Sequence, residues 1–403
     1  MFLYPAKLRQ QIDAIKFYLC IYSIMFYQSL IAFFGVTSLL GKEPRFAAEI
    51  IDDQVSIGHD LAIGDVDGDG KPDILLADKS QLVWYRNGDW KRFIMVDNLT
   101  EYDHFCIAAR DIDGDGKVEI AVGSESVYYL IRPNDPTQLW TPLVLRHSPA
   151  VYRMHWVKVN HSSCQLIVVP LDPGRNGEGQ RQAANILAYE KPTDPAMPWQ
   201  HRVISQPMPK VYHLDVYDYG DREVFYVNGD GGVMGFFFKD GHWVRNTADW
   251  LARGRQISEA RMGRVASRNA HVFAAIEPFH GNMVTVYTPG LTDSLLVYDK
   301  IGRVVLERKM SEGHGLGMAD LLDLGRDQIV AGWRKPNKDG HFGIKLYVPF
   351  NPYWEAMDVY WIDRGGIACE GLQIADMDGD GKPDIIAFGR STNNLKIYWN
   401  KTE

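Results

Sequence analysis

A short motif recurs along this chain and constrains its fold more than any other feature. Each copy is an apolar segment, a turn, and a second apolar segment, and in the clearest copies the turn is rich in Asp and Gly. The clear copies span 59–78, 105–124 and 370–389, weaker ones span 213–229 and 314–333, and copies without the acidic turn span 154–171 and 258–278. A repeat of this kind indicates one stacked or ring-shaped architecture rather than several unrelated domains.

Further strand-like segments follow each copy. Segments such as 81–88 and 395–400 supply a third strand, and amphipathic segments such as 90–98 and 201–207 supply a fourth. Four strands in every fifty or so residues is the pattern of β-propeller blades. The sequence therefore predicts an all-β fold, a seven-bladed β-propeller over residues 42–403.

The two ends of this region complement each other. The last copy has three strand segments before the sequence stops at Glu403, and segment 44–53 resembles the fourth-strand segment 91–98. We predict that this N-terminal strand completes the last blade and closes the ring, which would leave no unpaired edge there.

The first 41 residues differ from the rest. Lys7, Arg9 and Lys16 precede residues 17–41, which contain no charged side chain. This pattern predicts an apolar helix that serves as a signal peptide or, since its length suffices to cross a bilayer, as a membrane anchor. We therefore expect an exported protein, periplasmic or extracellular, whose contact with the membrane is limited to this segment.

The acidic turns have the ligand spacing of a cation-binding loop. Acidic residues occupy loop positions 1, 3, 5 and 9, and Gly occupies position 6. Such loops converge several oxygen ligands on one point, which suits Ca²⁺ in a structural role. The proposed ligands are Asp65, Asp67, Asp69 and Asp73, then Asp111, Asp113, Asp115 and Glu119, then Asp376, Asp378, Asp380 and Asp384.

The formal net charge of −8 excludes a nucleic-acid partner, which requires concentrated positive charge. Twelve of the 51 acidic side chains lie in the three loops. The acidity is thus largely a metal-binding device and not a general acidic surface.

A second set of residues precedes the innermost strand of each predicted blade. Because these strands line the central channel, we expect their first residues to ring one mouth of it, opposite the acidic turns. The predicted ring comprises His59, His104, His155, His213, Glu259, His314 and Glu370. Loops between second and third strands open on the same face and bring Arg175, His280, Arg334 and Arg390 over the funnel. For each histidine, bonding to a neighbouring blade is an alternative to a role in a site.

Several imidazoles with a carboxylate suit a transition metal such as Zn²⁺. We assign His59, His104, His314, Glu259 and Glu370 as its candidate ligands. The candidate catalytic groups are His155, His213, Tyr212, Arg153 and His280, and the candidate substrate-binding groups are Arg175, Arg334 and Arg390. A polarised carbonyl, a neutral His as base and an Arg near the developing enolate would together support β-elimination from a sugar.

The acidic loops resemble those of FG-GAP/VCBS repeats in integrin-like propellers. The segments IDDQVSIGHDLAIGDVDGDGKPDILLAD, CIAARDIDGDGKVEIAVG, IEPFHGN and GRSTNNLKIYW also resemble the propeller domain of aldos-2-ulose dehydratase-like proteins. That resemblance implies a metal-dependent carbohydrate lyase or dehydratase acting on an aldosulose such as 1,5-anhydro-D-fructose. The family enzyme also has cupin-type domains with an isomerase activity, so we expect a separate cupin-type partner to supply that half.

A different class of function fits the same repeats. A non-catalytic, integrin-like, calcium-binding propeller could bind sugar or protein at the cell surface. Convergence of imidazoles on one point would favour the enzyme. Cys106 and Cys369 lie beside the funnel positions, where small core residues are the expectation and soft metal ligands the alternative.

Overall fold

The computed structural model describes residues 42–101, 106–146, 148–171, 185–205, 208, 210–265, 270–292, 295–351 and 354–403. The predicted N-terminal helix, His104 and Arg175 lie outside these ranges. In the described part of the chain every regular element is a β-strand, and no helix there is long and apolar enough to cross a membrane. Residues Phe46–Asn400 form one compact unit.

The first strand among the described residues is β1 (Phe46–Asp52), and three complete sheets follow it. The first blade is β2 (Asp60–Gly64), β3 (Asp73–Asp78), β4 (Gln81–Tyr85) and β5 (Arg92–Asp97). The second is β6 (Cys106–Arg110), β7 (Glu119–Gly123), β8 (Val127–Ile131) and β9 (Thr141–Val144). The third is β10 (Val151–Asn160), β11 (Ser163–Pro170), β12 (Ile186–Glu190) and β13 (Gln200–Ser205).

Four further sheets follow. The fourth blade is β14 (Val211–Asp218), β15 (Glu223–Gly229), β16 (Gly232–Lys239) and β17 (His242–Leu251). The fifth is β18 (Glu259–Val265), β19 (Ala270–Glu277), β20 (Met283–Thr292) and β21 (Leu295–Glu307). The sixth is β22 (Gly313–Ala319), β23 (Gln328–Trp333), β24 (Gly343–Pro349) and β25 (Met357–Arg364), and the seventh contains β26 (Cys369–Ala375), β27 (Asp384–Gly389) and β28 (Asn394–Asn400).

Strands in every sheet run antiparallel to their neighbours. In blades one to six they pair in sequence order, whereas the seventh sheet has the order β1-β28-β27-β26. β1 lies against β28 in a register that begins with Phe46 opposite Asn400. The all-β, seven-bladed architecture predicted from the repeats is confirmed.

The second strand of a blade is sandwiched between the two neighbouring blades. Every residue of β3, β23 and β27 is buried, whereas the outer strand β9 is largely exposed. A strand covered on both faces carries a continuous apolar run instead of an alternating one. This explains why segments such as DILLAD and DIIAFG were recognisable in the sequence.

Blades are held together by hydrophobic clusters between consecutive sheets. Leu214 and Phe225 of the fourth blade pack with Ile167 and Val169 of the third, for example. Within the described residues one such cluster lies at each of the seven junctions, including that between the seventh and first blades. The ring is therefore continuous in its packing.

The first strands of the blades, β2, β6, β10, β14, β18, β22 and β26, each contact the next and surround the channel. Polar side chains reinforce this inner ring. Asp60 accepts a hydrogen bond from the Ile107 amide at 2.9 Å, and Glu259 accepts one from the Gly315 amide at 2.9 Å. The channel wall is thus built from inner strands whose side chains bind the neighbouring blade.

Candidate functional site

The three acidic turns gather carboxylates as their spacing predicts. The groups Asp65, Asp67 and Asp73, then Asp111, Asp113 and Asp115, then Asp376, Asp378 and Asp384 each offer oxygens within 4.8 Å of one another. Asp69, Glu119 and Asp380 complete the loops without joining these groups of three. An all-oxygen donor set of this density fits a hard divalent cation such as Ca²⁺.

The backbone of each turn is wound tightly around its first carboxylate. Asp65 accepts hydrogen bonds from the amides of Gly68 at 2.6 Å and Gly70 at 2.8 Å. The glycine at position 6 of the loop has a φ of 85° in all three turns, a conformation that favours glycine. The carboxylates are therefore held together by the fold itself.

Asp73 shows the electrostatic consequence. Burial, followed by repulsion from Asp67 and Asp65, raises the pKa of the Asp73 carboxyl to about 7, although two backbone amides donate to it. Burial likewise raises the pKa of Glu119 and of Asp384. A bound cation would offset this repulsion, so the residues present fit the metal that the repeat implies.

The opposite end of the channel contains two adjoining cavities. The outer one, which we call the mouth, has a volume of about 830 Å³, and the inner chamber has a volume of about 200 Å³. His59, Arg153 and Glu370 line both. The two cavities thus form one continuous candidate site.

The structure places most of the predicted funnel residues in these cavities. His155, His213 and Glu259 line the inner chamber, whereas His280, His314, Arg334 and Arg390 line the mouth.

Tyr212, a predicted catalytic residue, lines neither cavity. Its hydroxyl donates to Asp230 at 2.5 Å, and its ring stacks on Phe279 with centroids 4.2 Å apart. Tyr212 is thus placed as a buried support beneath the His280 loop.

In the inner chamber a guanidinium lies against the predicted catalytic residue His213. Nη1 of Arg261 lies 3.0 Å from Nε2 and 3.2 Å from Nδ1 of His213, and 3.7 Å from Asp215. Burial, with the charge of Arg261, holds the pKa of His213 well below its ordinary value. His213 is therefore a neutral acceptor for an arginine in this arrangement.

His155 differs from His213 in its surroundings. Burial and the nearby Arg261 and Arg153 lower the pKa of His155 to about 4. No hydrogen-bond partner for its ring is present among the residues that the structure describes. A neutral imidazole thus faces the inner chamber with its nitrogens available to a ligand.

At the mouth, Arg334 organises the remaining groups. It donates from Nε to Glu312 at 2.7 Å, from Nη1 to Glu370 at 2.8 Å, and from Nη2 to Nδ1 of His280 at 3.0 Å. Nε2 of His314 lies 2.9 Å from the same Nδ1 of His280. Two histidines, two carboxylates and an arginine therefore form one connected network.

Both histidines of the network are buried enough to be neutral. Burial, followed by the charge of Arg334, lowers the pKa of His280. Burial lowers the pKa of His314 to about 3, although the neighbouring Glu370 opposes this. Burial would raise the pKa of Glu370, but cationic neighbours that include Arg334 outweigh it and hold that pKa below its ordinary value. Glu370 is thus an ionised carboxylate flanked by arginines.

Backbone geometry presents His280 to the mouth. His280 follows β19 and has a φ of 50°, which is unusual for a residue other than glycine. The next residue must be small, because a Cβ at Gly281 would lie 2.0 Å from the Glu277 carbonyl oxygen. Such conformations persist where the surroundings enforce them and are concentrated at functional sites.

The described funnel donors do not converge on one point in the way that a bound transition metal would require. Among the described residues, no three of the imidazole, thiol and carboxylate groups of the funnel lie within 4.8 Å of one another. Glu259 instead bonds a neighbouring blade, and Cys106 and Cys369 are buried free thiols. The Zn²⁺ assignment stays a prediction, and we derive no step through such an ion.

Some site residues were missed by sequence reasoning. Glu312, which binds Arg334, lies two residues before His314, and Asp60 directly follows His59. The available signal was an acidic residue within two positions of four of the five predicted ring histidines, His155 being the exception. Arg261 was visible beside Glu259, but its contact with His213 depends on two blades meeting.

Known proteins resemble this chain in two ways. Residues 65–122 match the FG-GAP-like repeat family, and residues 123–289 match the aldos-2-ulose dehydratase beta-propeller domain, so the resemblance to both predicted from the sequence is confirmed. No curated protein sequence matches the chain.

Solved structures share the architecture at low identity. BBS1N, in a complex with ARL6DN soaked with mercury, is 13% identical with a TM-score of 0.54, covering 90% of this chain and 98% of that one. The β-propeller domain of Cps50 (Swd1) from Myceliophteria thermophila is 9% identical with a TM-score of 0.52, covering 87% and 99%. At these identities the likeness concerns the fold alone.

Proposed function

We propose that the chain is a carbohydrate lyase of the dehydratase type, with its site in the mouth and inner chamber of the central channel. The observation that carries this proposal is the hydrogen-bonded pair of neutral histidines, His280 and His314, beside arginine and carboxylate groups. The match of residues 123–289 to a dehydratase propeller supports it independently.

The chemistry requires a base that is neutral at working pH. In the proposed reaction His314 takes the proton next to a substrate carbonyl, and the electron pair of that C–H bond forms the enolate. The enolate then reforms the carbonyl and expels the β-hydroxyl, which takes back the proton from His314 and leaves as water. Protons and electrons balance, and the product is an unsaturated ketone.

Arg390 suits the developing negative charge. It donates Nη1 to Glu370 at 3.1 Å, and its side chain is 42% exposed at the mouth, so its remaining N–H groups can face a ligand. Arg153 lines both cavities and offers a second positive charge. Preorganised donors of this kind stabilise an enolate without reorganisation during the reaction.

The test is incubation of the purified full-length chain with 1,5-anhydro-D-fructose while the absorbance of the enone product is followed. We expect turnover by the wild type and a loss of roughly 10²- to 10⁴-fold in kcat for His314→Asn, as for removal of a general base. The matched control is His242→Asn, because His242 is exposed on β17 and its ring contacts the Asp240 carbonyl oxygen, away from the mouth.

A wild-type protein that gives no enone from this or related aldosuloses would overturn the dehydratase proposal. The alternative is then a non-catalytic, calcium-binding propeller that binds sugar or protein. Its specific support is the FG-GAP-like match over residues 65–122, together with the mutual pairing of Glu370 with Arg334 and Arg390. Calorimetric titration with the same sugars would show binding without turnover.

A further inference from the structure

Arg261 has one guanidinium edge that no protein group occupies within the described residues. The contacts of its side chain all involve Nη1, which meets both ring nitrogens of His213, the Ala260 carbonyl oxygen at 3.2 Å, and Asp215 at 3.7 Å. Nε and Nη2 have no hydrogen-bond partner in the described part of the chain, and they are not among its buried unpartnered nitrogens. Because Arg261 lines the inner chamber, this Nε–Nη2 edge is open to a ligand there.

The same edge of other arginines binds carboxylates in this molecule. Arg86 donates from Nε and Nη2 to the two oxygens of Asp89, at 3.1 Å and 2.5 Å. Arg303 donates from Nε and Nη2 to the two oxygens of Glu277, at 3.2 Å and 3.1 Å. The two N–H groups of this edge match the spacing of carboxylate oxygens, so such pairs are bidentate. The open edge of Arg261 therefore has the geometry to bind a carboxylate.

Two carboxylates of the chamber wall are engaged with the backbone. Asp60 accepts from the Leu61 amide with one oxygen, at 3.0 Å, and from the Ile107 amide with the other, at 2.9 Å. Glu259 accepts a backbone amide of the sixth blade at 2.9 Å. Neither carboxylate contacts the Nε–Nη2 edge of Arg261, so that edge is left for a group that enters the chamber.

The charges around the chamber favour an anion beside the arginines. Burial, followed by the charges of Arg261, Arg153 and Arg110, lowers the pKa of His155 to about 4. Positive charges that disfavour an imidazolium favour a carboxylate at the same place. Blades one, two and seven contribute apolar residues to the rest of the wall, namely Leu61, Ile107 and Leu372. Their side chains offer no donor, so a carboxylate would bind on the arginine side.

We propose that the Nε–Nη2 edge of Arg261 binds the carboxylate of an acidic sugar in the inner chamber. The inference names the substrate class of the proposed function and rests on that function for its catalytic consequence, whereas the binding stands by itself. The chamber adjoins the mouth and shares Arg153 with it, so a sugar held at Arg261 by its carboxylate can extend towards His314. A chamber of about 200 Å³ suits the charged end of one sugar unit.

The test compares D-glucuronate with D-glucose by calorimetric titration of the purified full-length chain. The two probes differ in one group, because a carboxylate in D-glucuronate replaces the terminal hydroxymethyl group of D-glucose. We expect the wild type to bind D-glucuronate about 10- to 100-fold more tightly, as for a hydrogen-bonded pair with charged partners. Equal affinities, or no binding of D-glucuronate, would overturn the inference.

Inorganic phosphate separates an acidic sugar from a free anion as the ligand. Phosphate lacks the sugar ring, so we expect it to bind more weakly than D-glucuronate. If phosphate bound as tightly as D-glucuronate and competed with it, the chamber would be a site for a free anion and the acidic sugar would be ruled out.

Variants of Arg261 assign the preference for D-glucuronate to this side chain. Arg261→Met should abolish the preference, and Arg261→Lys should reduce it to less than about tenfold, because an ammonium keeps the charge but loses the fork. Arg261→Met also removes the cation near Asp215, which can impair folding. The double variant Arg261→Met with Asp215→Asn removes both charges and should likewise lack the preference.

Arg202→Met is the matched control, since Arg202 pairs with Glu190 at 3.1 Å and is 53% exposed on β13. It should keep the wild-type ratio of affinities. An arginine that only supports His213 would not affect this ratio. A wild-type ratio in Arg261→Met or in the double variant would therefore overturn the inference.

Turnover supplies the second readout. The form of 1,5-anhydro-D-fructose that carries a carboxylate at C6 should have a kcat/KM about 10- to 100-fold above that of the neutral sugar, and Arg261→Met should remove the difference. An equal or higher kcat/KM for the neutral sugar would overturn the substrate class. If D-glucuronate binds as expected but the wild type converts neither sugar, the proposed function alone fails.

Discussion

Acidic side chains near the channel have different roles, which depend on the groups that their oxygens contact. Glu370 faces arginines at the mouth, while Asp60 and Glu259 accept backbone amides from the next blade. Burial raises the pKa of both Asp60 and Glu259. At the scale of the residue, position on an inner strand is therefore insufficient to assign a ligand role.

Glu277 ends β19 directly before the loop that carries His280. Its carboxylate is 3% exposed and accepts from Tyr287 at 2.6 Å, Thr285 at 2.5 Å and Arg303 at 3.1 Å. Burial would raise the pKa of Glu277, but these hydrogen bonds outweigh burial and hold the pKa below its ordinary value of 4.5. This buried network anchors the base of the His280 loop.

We predict that Glu277→Gln destabilises the protein by roughly 2–4 kcal/mol at pH 7, because Arg303 loses its charged partner in a buried network. A depressed folded-state pKa contributes stability above the unfolded value near 4.5, and that stability is lost as pH falls through the folded value. The free energy of unfolding of the wild type should therefore fall more steeply than that of Glu277→Gln below about pH 4.5 in urea titrations.

Glu190→Gln serves as its control, because the Glu190 side chain is 46% exposed. It should shift stability by less than about 0.5 kcal/mol. Parallel pH profiles for the wild type and Glu277→Gln would contradict the assigned role of Glu277.

The corresponding turn of the sixth blade has a glutamine amide in place of an acidic ligand. Asp320 stands at position 1 and accepts the Gly325 amide at 2.6 Å, as Asp65 accepts that of Gly70. Position 9 is Gln328, whose amide oxygen accepts from Leu322 and whose Nε2 lies 3.4 Å from Asp320 Oδ1. The partial positive charge of the Gln328 amide N–H thus lies where an acidic turn would bind a cation.

At the scale of the element, we predict that a chelator loosens the three acidic turns and spares the sixth. Hydrogen exchange should quicken in segments 65–73, 111–119 and 376–384 when Ca²⁺ is removed, because repulsion between carboxylates returns. Segment 320–328 should not change. At a free Ca²⁺ concentration 100-fold above Kd, each site would contribute about 2.7 kcal/mol.

The sixth turn is the internal control for this measurement. If the chelator left the exchange rate of every one of the four segments unchanged, the acidic turns would fold without a cation. Substitution Gln328→Ala should quicken exchange in 320–328 whether or not Ca²⁺ is present.

At the scale of the whole molecule, the ring of blades depends on the packing of the first blade against the seventh. Leu61 and Ile74 of the first blade pack with Ile386 and Ile397 of the seventh, and β1 lies on the outer edge of that seventh sheet. That β1 closes the ring remains a prediction.

Two truncations test the role of β1. Removal of residues 1–45 should leave the unfolding temperature unchanged, whereas removal of residues 1–52 should lower it by roughly 5 °C or more. The longer truncation uncovers the edge of β28, so we also expect self-association in light scattering. Equal unfolding temperatures for both truncations would contradict closure by this strand.

Periodic features were predictable from the sequence because they depend on local spacing. Seven blades follow from the repeat, buried middle strands such as DIIAFG from their continuous apolar runs, and the ligand spacing from Asp65 to Asp73 from tight-turn chemistry. The approach of His59, His314 and Glu370 to one end of the channel followed from the same repeat.

What the side chains contact in that channel was decided only by the tertiary structure. The contact of His213 with Arg261 and that of His280 with Arg334 join residues 48 and 54 positions apart in the chain. Such contacts are set by how blades stack and how loops cross the mouth. The sequence alone determined a ring with acidic turns on one side and a polar funnel on the other, because those properties repeat. The tertiary structure decided the partners of each funnel group, because each junction between blades differs and the pKa of a buried group depends on its neighbours.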